Sequence, residues 1–305
     1  MLKSLVPSKT GGIIMALFDE NIQFHLKIKK GDIGRYVILP GDPKRAGEIA
    51  KYLDNAEKIS QNREYTVYTG FLNGEKVSVC STGIGGPSAA IAAEELIKCG
   101  ADALLRVGTS GGINTKVRGG DLVIATSAVR AEGTSKEYLP EGYPAAASYE
   151  VVHALHKSAS VLLRNLDSSY HIGVVQSKDS FYGETNPETM PVEDMLTQKW
   201  SAYVRCGCLA SEMECASIFS VATVRNVRAG AVLTAIWNVE RTNNGLDDSV
   251  CLSSENAIKC AIGAIKILIE RDRQKLEGAK ISGASIEGAK IESAKIESAK
   301  IEGGK

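Results

Sequence analysis

Charge of one sign is not in excess here: Lys and Arg number 36, Asp and Glu 36, for a formal net charge of zero over 305 residues. A broad nucleic-acid or anionic-membrane surface leaves a basic excess, so both partner classes are disfavoured. No apolar run approaches the roughly 18 residues that a membrane span takes. Proline is scarce at 8 residues, and with 30 Gly, 44% hydrophobic and 24% charged residues the composition excludes a fibrous or wholly disordered chain. The seven cysteines form no C-x-x-C pair. Their odd count and the chain length speak against a disulfide framework and predict reduced thiols in a cytoplasmic protein. Cys206-Gly-Cys208 lacks a nearby histidine or a second cysteine pair that would complete a zinc site. Residues 1–14 hold two lysines but no long apolar stretch and no small-residue cleavage site, which predicts no secretory signal. Neither G-x-G-x-x-G nor G-x-x-x-x-G-K-[ST] occurs, so a dinucleotide or a nucleoside triphosphate is not the first expectation.

What is present divides into a core and two ends. From Leu276 the chain runs through six five-residue units, LEGAK ISGAS IEGAK IESAK IESAK IEGGK. A period of five matches neither the helix period of 3.6 nor the strand period of 2, so no continuous apolar face forms. A disordered tail over 275–305 is the expectation, with a short β-solenoid as the alternative. Residues 1–20 are read as an N-terminal extension, and 21–274 as one domain. In that domain strand-like and helix-like runs alternate. Tyr36-Val-Ile-Leu, Val77-Ser-Val-Cys, Leu104-Leu-Arg-Val, Asp121-Leu-Val-Ile, Ile172-Gly-Val-Val and Gly230-Ala-Val-Leu-Thr-Ala-Ile-Trp read as strands. Pro87 suits the first turn of a helix over Ser88–Lys98, and Gly100 its end. Ser253 caps a last helix whose Ala257, Ile258, Ala261, Ile262, Ile265, Leu268 and Ile269 share one face. The pattern predicts an α/β fold around a partly parallel sheet.

Three Gly-rich segments follow buried strands and are read as loops: Gly41-Asp-Pro-Lys-Arg45, Gly83-Ile-Gly-Gly86 and Gly108-Thr-Ser-Gly-Gly112. Ligands of α/β sheets bind at the carboxyl ends of strands, where glycine lets backbone N–H groups approach an anion. Arg45, Arg63, Arg106 and Thr109 stand in or near these segments. Arg106 lies inside an apolar run, so it requires an anionic partner, either an internal carboxylate or a bound phosphate.

Taken together, Pro40-Gly-Asp-Pro, Asn62-Arg-Glu-Tyr, Cys80-Ser-Thr-Gly-Ile-Gly-Gly-Pro-Ser88, Leu105-Arg-Val-Gly-Thr109 and Ser211-Glu-Met-Glu-Cys-Ala216 resemble the nucleoside phosphorylase family, closest to its uridine-cleaving branch. The resemblance covers residues 22–272. It implies a three-layer α/β/α sandwich with a mixed, barrel-like central sheet, and a pentosyltransferase that converts uridine and phosphate to uracil and ribose 1-phosphate without a cofactor. It implies a homodimer as the minimal active unit and a homohexamer as the assembly. Carried over by residue, phosphate falls to Gly41, Arg45, Arg106 and Thr109, with Arg63 from the neighbouring subunit. Ribose falls to Glu214, Met213 and Glu212, with His25 from the neighbour. The base falls to Phe181, Ile236 and Arg241. Glu64, the Ile84 carbonyl and Ser88 match a potassium site between paired subunits in some members. For Ser211-Glu-Met-Glu the plainer alternative is an acidic helix start. His153, His156 and His171 match no family position.

The base loop departs from the pattern. Glu184 stands where the family's uracil-reading glutamine stands, and Asn186 where its arginine stands. An ionised glutamate only accepts hydrogen bonds, and its charge would oppose the negative charge on departing uracil. This widens the expectation to purine nucleosides, or to a non-catalytic nucleoside-binding relative.

Overall fold

The structure, a computed structural model, describes residues 21–247 and 249–281. The expected N-terminal extension over 1–20 and most of the repeat tail lie outside these residues. The strands are β1 (Tyr36–Pro40), β2 (Asp54–Asn62), β3 (Tyr65–Leu72), β4 (Glu75–Cys80), β5 (Ala103–Gly112), β6 (Leu122–Ala131), β7 (Ala145–Ala146), β8 (Tyr170–Lys178), β9 (Ala210–Glu212) and β10 (Arg228–Asn238). The helices are α1 (Pro43–Ala50), α2 (Gly86–Lys98), α3 (Thr134–Tyr138), α4 (Tyr149–Leu162), α5 (Phe181–Thr185), α6 (Glu193–Arg205), α7 (Cys215–Arg225), α8 (Val239–Asn243) and α9 (Glu255–Ile281).

Strands β10, β6, β8, β9 and β5 run in that order, and β5 pairs back to β10, which closes a five-stranded mixed barrel. From β5 the sheet continues outward through β1, β4, β3 and β2. The junction is β5 itself. One of its edges follows β10 from Ala103 to Gly112. Its other edge pairs with β1 over 103–107 and then with β9 at Gly111 and Gly112.

Helices cover both faces, as the alternation predicts. On one side Ala89, Ala92 and Leu96 of α2 pack with Ala216, Phe219 and Ala222 of α7 in one apolar cluster. On the other, Ala46 and Ile49 of α1, Val151 and Leu155 of α4, and Ala261, Ile265 and Leu268 of α9 form a second. All seven apolar residues read as one face of the last helix are buried.

Two readings of the sequence are corrected. Gly108–Gly112 is not a loop; it is the second half of β5, paired to β10 throughout. Glycine serves there to close the barrel. A Cβ at Gly108 would lie 2.8 Å from both Arg106 Nη2 and Leu233 Cδ2, and one at Gly112 would lie 2.6 Å from Asn238 Nδ2. The tail expected to be disordered from 275 also begins as helix, because α9 continues to Ile281 through the first repeat unit. Ala, Glu, Lys and Leu in that unit are good helix formers, so the helix extends on propensity beyond the end of its apolar face.

Candidate active site

A cavity of about 860 Å³ opens at the carboxyl ends of β1, β4, β5 and β10, walled on its far side by α5, α6 and the β9–α7 connection. Its floor comes from the two short Gly segments. Gly41 follows β1 and approaches the segment after β4 closely: a Cβ there would stand 3.2 Å from the Gly83 carbonyl oxygen. Gly83 has φ +69°, and a Cβ on it would sit 2.7 Å from Glu64 Cγ and 2.9 Å from Ser88 Oγ. Only glycine adopts this backbone in so tight a space.

Two arginines meet at this floor. Arg106, only 3% exposed, projects from β5. Its Nε donates to Glu212 Oε2 at 2.9 Å, and its Nη2 pairs with the Glu214 carboxylate. The internal carboxylates anticipated as one alternative are thus present, yet Arg106 also lines the cavity and keeps N–H donors to spare. Burial alone would depress its pKa; Glu214 and Glu212 more than offset that, so it is raised. Arg45, on α1, makes no hydrogen bond or ion pair among the described residues. Its guanidinium is held below its ordinary value, chiefly by burial; Asp42 opposes this, and the like charge of Arg106 adds to it. Two cations facing one cavity, one of them unpaired, make a site that an anion would relieve. Gly41 and Thr109 share the same wall.

The acidic pair after β9 divides into two kinds of group. Glu212, 3% exposed, has both oxygens occupied: Arg106 Nε, the Ser177 hydroxyl, and the N–H groups of Glu214 and Cys215 that open α7. It is therefore both an acidic helix start and the orienting partner of Arg106. Glu214 is held by the Gly85 N–H, 2.6 Å from Oε1, and by Arg106. Each of its oxygens keeps acceptor capacity, and the residue lines the cavity. Burial raises its pKa; Arg106 pulls it down and Glu212 pushes it up, and the net shift is upward. Met213 lies beside it on the wall.

The far end is apolar with one charged cluster. Phe181 (54% exposed), Trp200, Ile236 and Trp237 line it. Ile236 sits at an irregularity where β10 slips register against β5, which aims it at the cavity. Trp200 Nε1 donates to Glu240 Oε1 at 2.7 Å and so ties α6 to α8 across the mouth. Glu184 also lines this end, but not as an isolated charge. Lys178 Nζ lies 2.7 Å from its Oε1, and the Ser211 hydroxyl donates to the same oxygen at 2.6 Å. Sequence reading missed Lys178; the available signal was a lysine closing a buried strand three residues before Phe181.

Other expected residues lie elsewhere. Asn186 is outside the cavity, where its side chain accepts from Thr185 Oγ1 at 3.1 Å. Arg241 is also outside; its guanidinium reaches the carbonyls of Asp247 and Thr115, each at 2.5 Å from its Nη2 and Nη1. Asn186 is thus engaged within its own loop, whereas Arg241 bridges the segment at Asp247 and the β5–β6 connection at Thr115. His25 and Arg63 lie together on another surface. Asn62 Nδ2 donates to the His25 carbonyl at 2.7 Å, which ties the two segments. Arg63 stands exposed with φ +54° at the tip of the β2–β3 hairpin. His25 Nδ1 lies 2.7 Å from Glu95 Oε1, which fixes the ring. Glu64 and Ser88 flank Gly83 on the cavity wall, next to exposed Ile84. Of the remaining histidines, His153 and His156 are on α4, and His171 Nε2 pairs with buried Asp121 at 2.9 Å.

The family model for the phosphorylase superfamily matches residues 35–270, which spans the barrel and every wall of the cavity. The chain belongs to the phosphorylase superfamily. Within that superfamily it is 49% identical over 257 residues to uridine phosphorylase of Treponema pallidum, covering 84% of this chain and 98% of that one. It is 40% identical to uridine phosphorylase of Thermococcus kodakarensis over 86% of this chain and 92% of that one. It is also 37% identical to guanosine phosphorylase of Halorubrum lacusprofundi, over 81% and 99%. Among the described residues of this superfamily member, no helix is long and apolar enough to cross a membrane.

Proposed function

We propose that this protein is a pentosyltransferase that phosphorolyses uridine to uracil and ribose 1-phosphate. The observation that carries the reading is the unpaired Arg45 facing the same cavity as Arg106, with a buried carboxylate, Glu214, beside them. Hydrogen phosphate takes the arginine end, held by Arg45, Arg106, Thr109 and the Gly41 amide, and by Arg63 of a neighbouring subunit. Glu214 accepts from the ribose hydroxyls, Met213 packs on the sugar, and His25 arrives from the neighbour. Phe181 and Ile236 flank the base. A phosphate oxygen forms the bond to C1′, and the C1′–N1 bond breaks with its electron pair going to N1. The proton that hydrogen phosphate brings in ends on the released base. Catalysis comes from holding the dianion in line and from the fixed field of the arginines, and it needs no cofactor.

A homodimer is the minimal active unit under this reading, since Arg63 and His25 sit away from their own cavity; a homohexamer of such pairs is the assembly. The carboxylate of Glu64, the Ser88 hydroxyl and the Ile84 carbonyl form an all-oxygen set suited to potassium, which would balance charge between paired subunits. Free thiols at all seven cysteines fit a cytoplasmic location. The guanosine phosphorylase relative and the charged Glu184 support one second reading, a purine nucleoside substrate. Incubation with uridine, inosine and cytidine, with and without phosphate, decides. Uracil released only when phosphate is present supports the proposal, and faster release from inosine supports the second reading. Phosphate-independent release makes the protein a hydrolase.

A further inference from the structure

At the base end, Lys178, Glu184 and Ser211 close a triangle of hydrogen bonds. Lys178 Nζ donates to Glu184 Oε1 at 2.7 Å and to Ser211 Oγ at 2.5 Å, and Ser211 Oγ donates to the same Glu184 oxygen at 2.6 Å. An ammonium group has three donors, so one N–H of Lys178 is left over. Glu184 Oε2 makes no hydrogen bond among the described residues. Both side chains line the cavity, at 11% and 16% side-chain exposure, and the Lys178 ammonium lies 5.9 Å from the Phe181 ring centroid. A spare donor and a spare acceptor thus stand side by side next to an aromatic face. The triangle fixes their order, because neither group can turn away without breaking two bonds.

We infer that Lys178 and Glu184 read the lactam edge of the base, the ring N–H beside a ring carbonyl, and that Lys178 carries the charge developing on that base as it leaves. The inference rests on the phosphorolysis reading and deepens it. Uracil presents N3–H next to a carbonyl, and hypoxanthine and guanine present N1–H next to C6=O. Glu184 Oε2 accepts from the N–H and Lys178 donates to the carbonyl. Cytosine and adenine present the reverse order, a bare ring nitrogen beside an amino group, which would set acceptor against acceptor and donor against donor. When the C1′–N1 bond breaks, the electron pair spreads from N1 onto the ring carbonyls. A cation fixed at a carbonyl strengthens its hydrogen bond as that charge grows, which stabilises the transition state more than the ground state. The pair is neutral overall, so the obstacle anticipated from an isolated Glu184 carboxylate does not arise.

The test uses phosphorolysis rates of uridine and 3-methyluridine, in which a methyl group replaces N3–H, first with the unmodified protein. The expected kcat/KM for 3-methyluridine is lower by about ten-thousandfold or more, the scale on which a site built for a polar group rejects an analogue lacking it. Three variants follow, each checked for an unchanged melting temperature. Lys178→Met, which leaves the carboxylate alone beside the leaving group, loses about a hundredfold on uridine. Glu184→Gln loses at least about tenfold, because Lys178 holds the amide oxygen and turns its NH2 toward N3–H. The double variant regains at least about tenfold over Lys178→Met, since a freed amide offers both a donor and an acceptor. Uridine and 3-methyluridine cleaved within twofold of each other overturn the inference and leave the phosphorylase reading standing. So do folded variants that keep the parent kcat/KM. If the unmodified protein cleaves inosine but not uridine, the uridine reading falls, and 1-methylinosine replaces 3-methyluridine in the same comparison. Absence of phosphate-dependent release from every nucleoside overturns both.

Discussion

Glu212→Gln separates a sugar-binding glutamate from one that holds an arginine. The carboxylate has no oxygen free: it takes Arg106 Nε, the Ser177 hydroxyl and two backbone N–H groups at the start of α7. An amide is nearly isosteric, but its NH2 must face one of these donors, and the charge that balances buried Arg106 is halved to Glu214 alone. Breaking one partner of a buried ion pair costs about 3–5 kcal/mol. For a chain of this size each kcal/mol lowers Tm by about 2–4 °C, so a fall of roughly 10 °C is expected in a thermal melt. The kinetic signature is as specific as the thermal one. Arg106 loses the hydrogen bond that orients its Nε, so the KM for phosphate rises by about tenfold or more at saturating uridine. The KM for uridine at saturating phosphate stays within about threefold. A variant with an unchanged melt and an unchanged phosphate KM, but a raised uridine KM, would refute this reasoning and return Glu212 to the ribose.

Three further outcomes are expected. Arg45→Met raises the phosphate KM by about ten- to a hundredfold without lowering the melting temperature, because Arg45 has no hydrogen bond or ion pair among the described residues to lose and is held below its ordinary pKa by burial; a destabilised variant with unaltered phosphate KM contradicts this. Asp121 has its pKa lowered: burial would raise it, but His171 and the N–H groups of Arg118 and Ser169 outweigh that. The stability it contributes is present above its unfolded pKa of about 3.9 and is lost as pH falls through the lower folded value. Asp121→Asn therefore costs about 2 kcal/mol at pH 7 and flattens the decline below pH 4, as urea unfolding across that range would record. Finally, inactive Arg63→Ala and Arg106→Ala proteins, mixed under subunit exchange, should recover activity, since a mixed pair holds one site with both arginines; exchange observed by mass spectrometry without recovery counts against a site shared between subunits.

Local signals carried most of the scaffold. Apolar runs that stop at Pro40-Gly41 and Cys80-Ser-Thr-Gly83 mark strand ends because glycine and proline act on the backbone within a few residues. The 3.6-residue stripe of α9 and Pro87 at the start of α2 are signals of the same range. What escaped depends on groups far apart in the chain. Gly108–Gly112 reads as a loop by composition, and only the closeness of Leu233 and Asn238, over a hundred residues away, explains glycine inside a strand. Glu212 and Glu214 are two residues apart and chemically alike. Their division of roles comes from Arg106, Ser177 and Gly85, which no spacing rule brings together. Glu184 looked like a lone charge although its counter-ion Lys178 stands close by in the chain; the partner that holds the two together, Ser211, arrives from β9. Repeat units of period five gave no helical face, yet propensity alone carries α9 into the first of them.

Strand β5 bears Arg106 and Thr109 and is hydrogen-bonded along both edges, to β10 on one side and to β1 and then β9 on the other. The groups at the far, apolar end of the cavity stand instead on the rim: the end of β8, the five-residue helix α5, and the slipped register of β10. A residue change on β5 disturbs three neighbouring strands at once, whereas a change on the rim disturbs a short segment. Heritable variation is therefore channelled. Under the proposed assignment of the two ends, a lineage would exchange one nucleobase for another by rewriting a few rim positions, while the arginine end would stay under constraint because altering it threatens the barrel. Relatives named for uridine and for guanosine, at 49% and 37% identity to one chain, are what such an uneven distribution of mutational cost would leave behind.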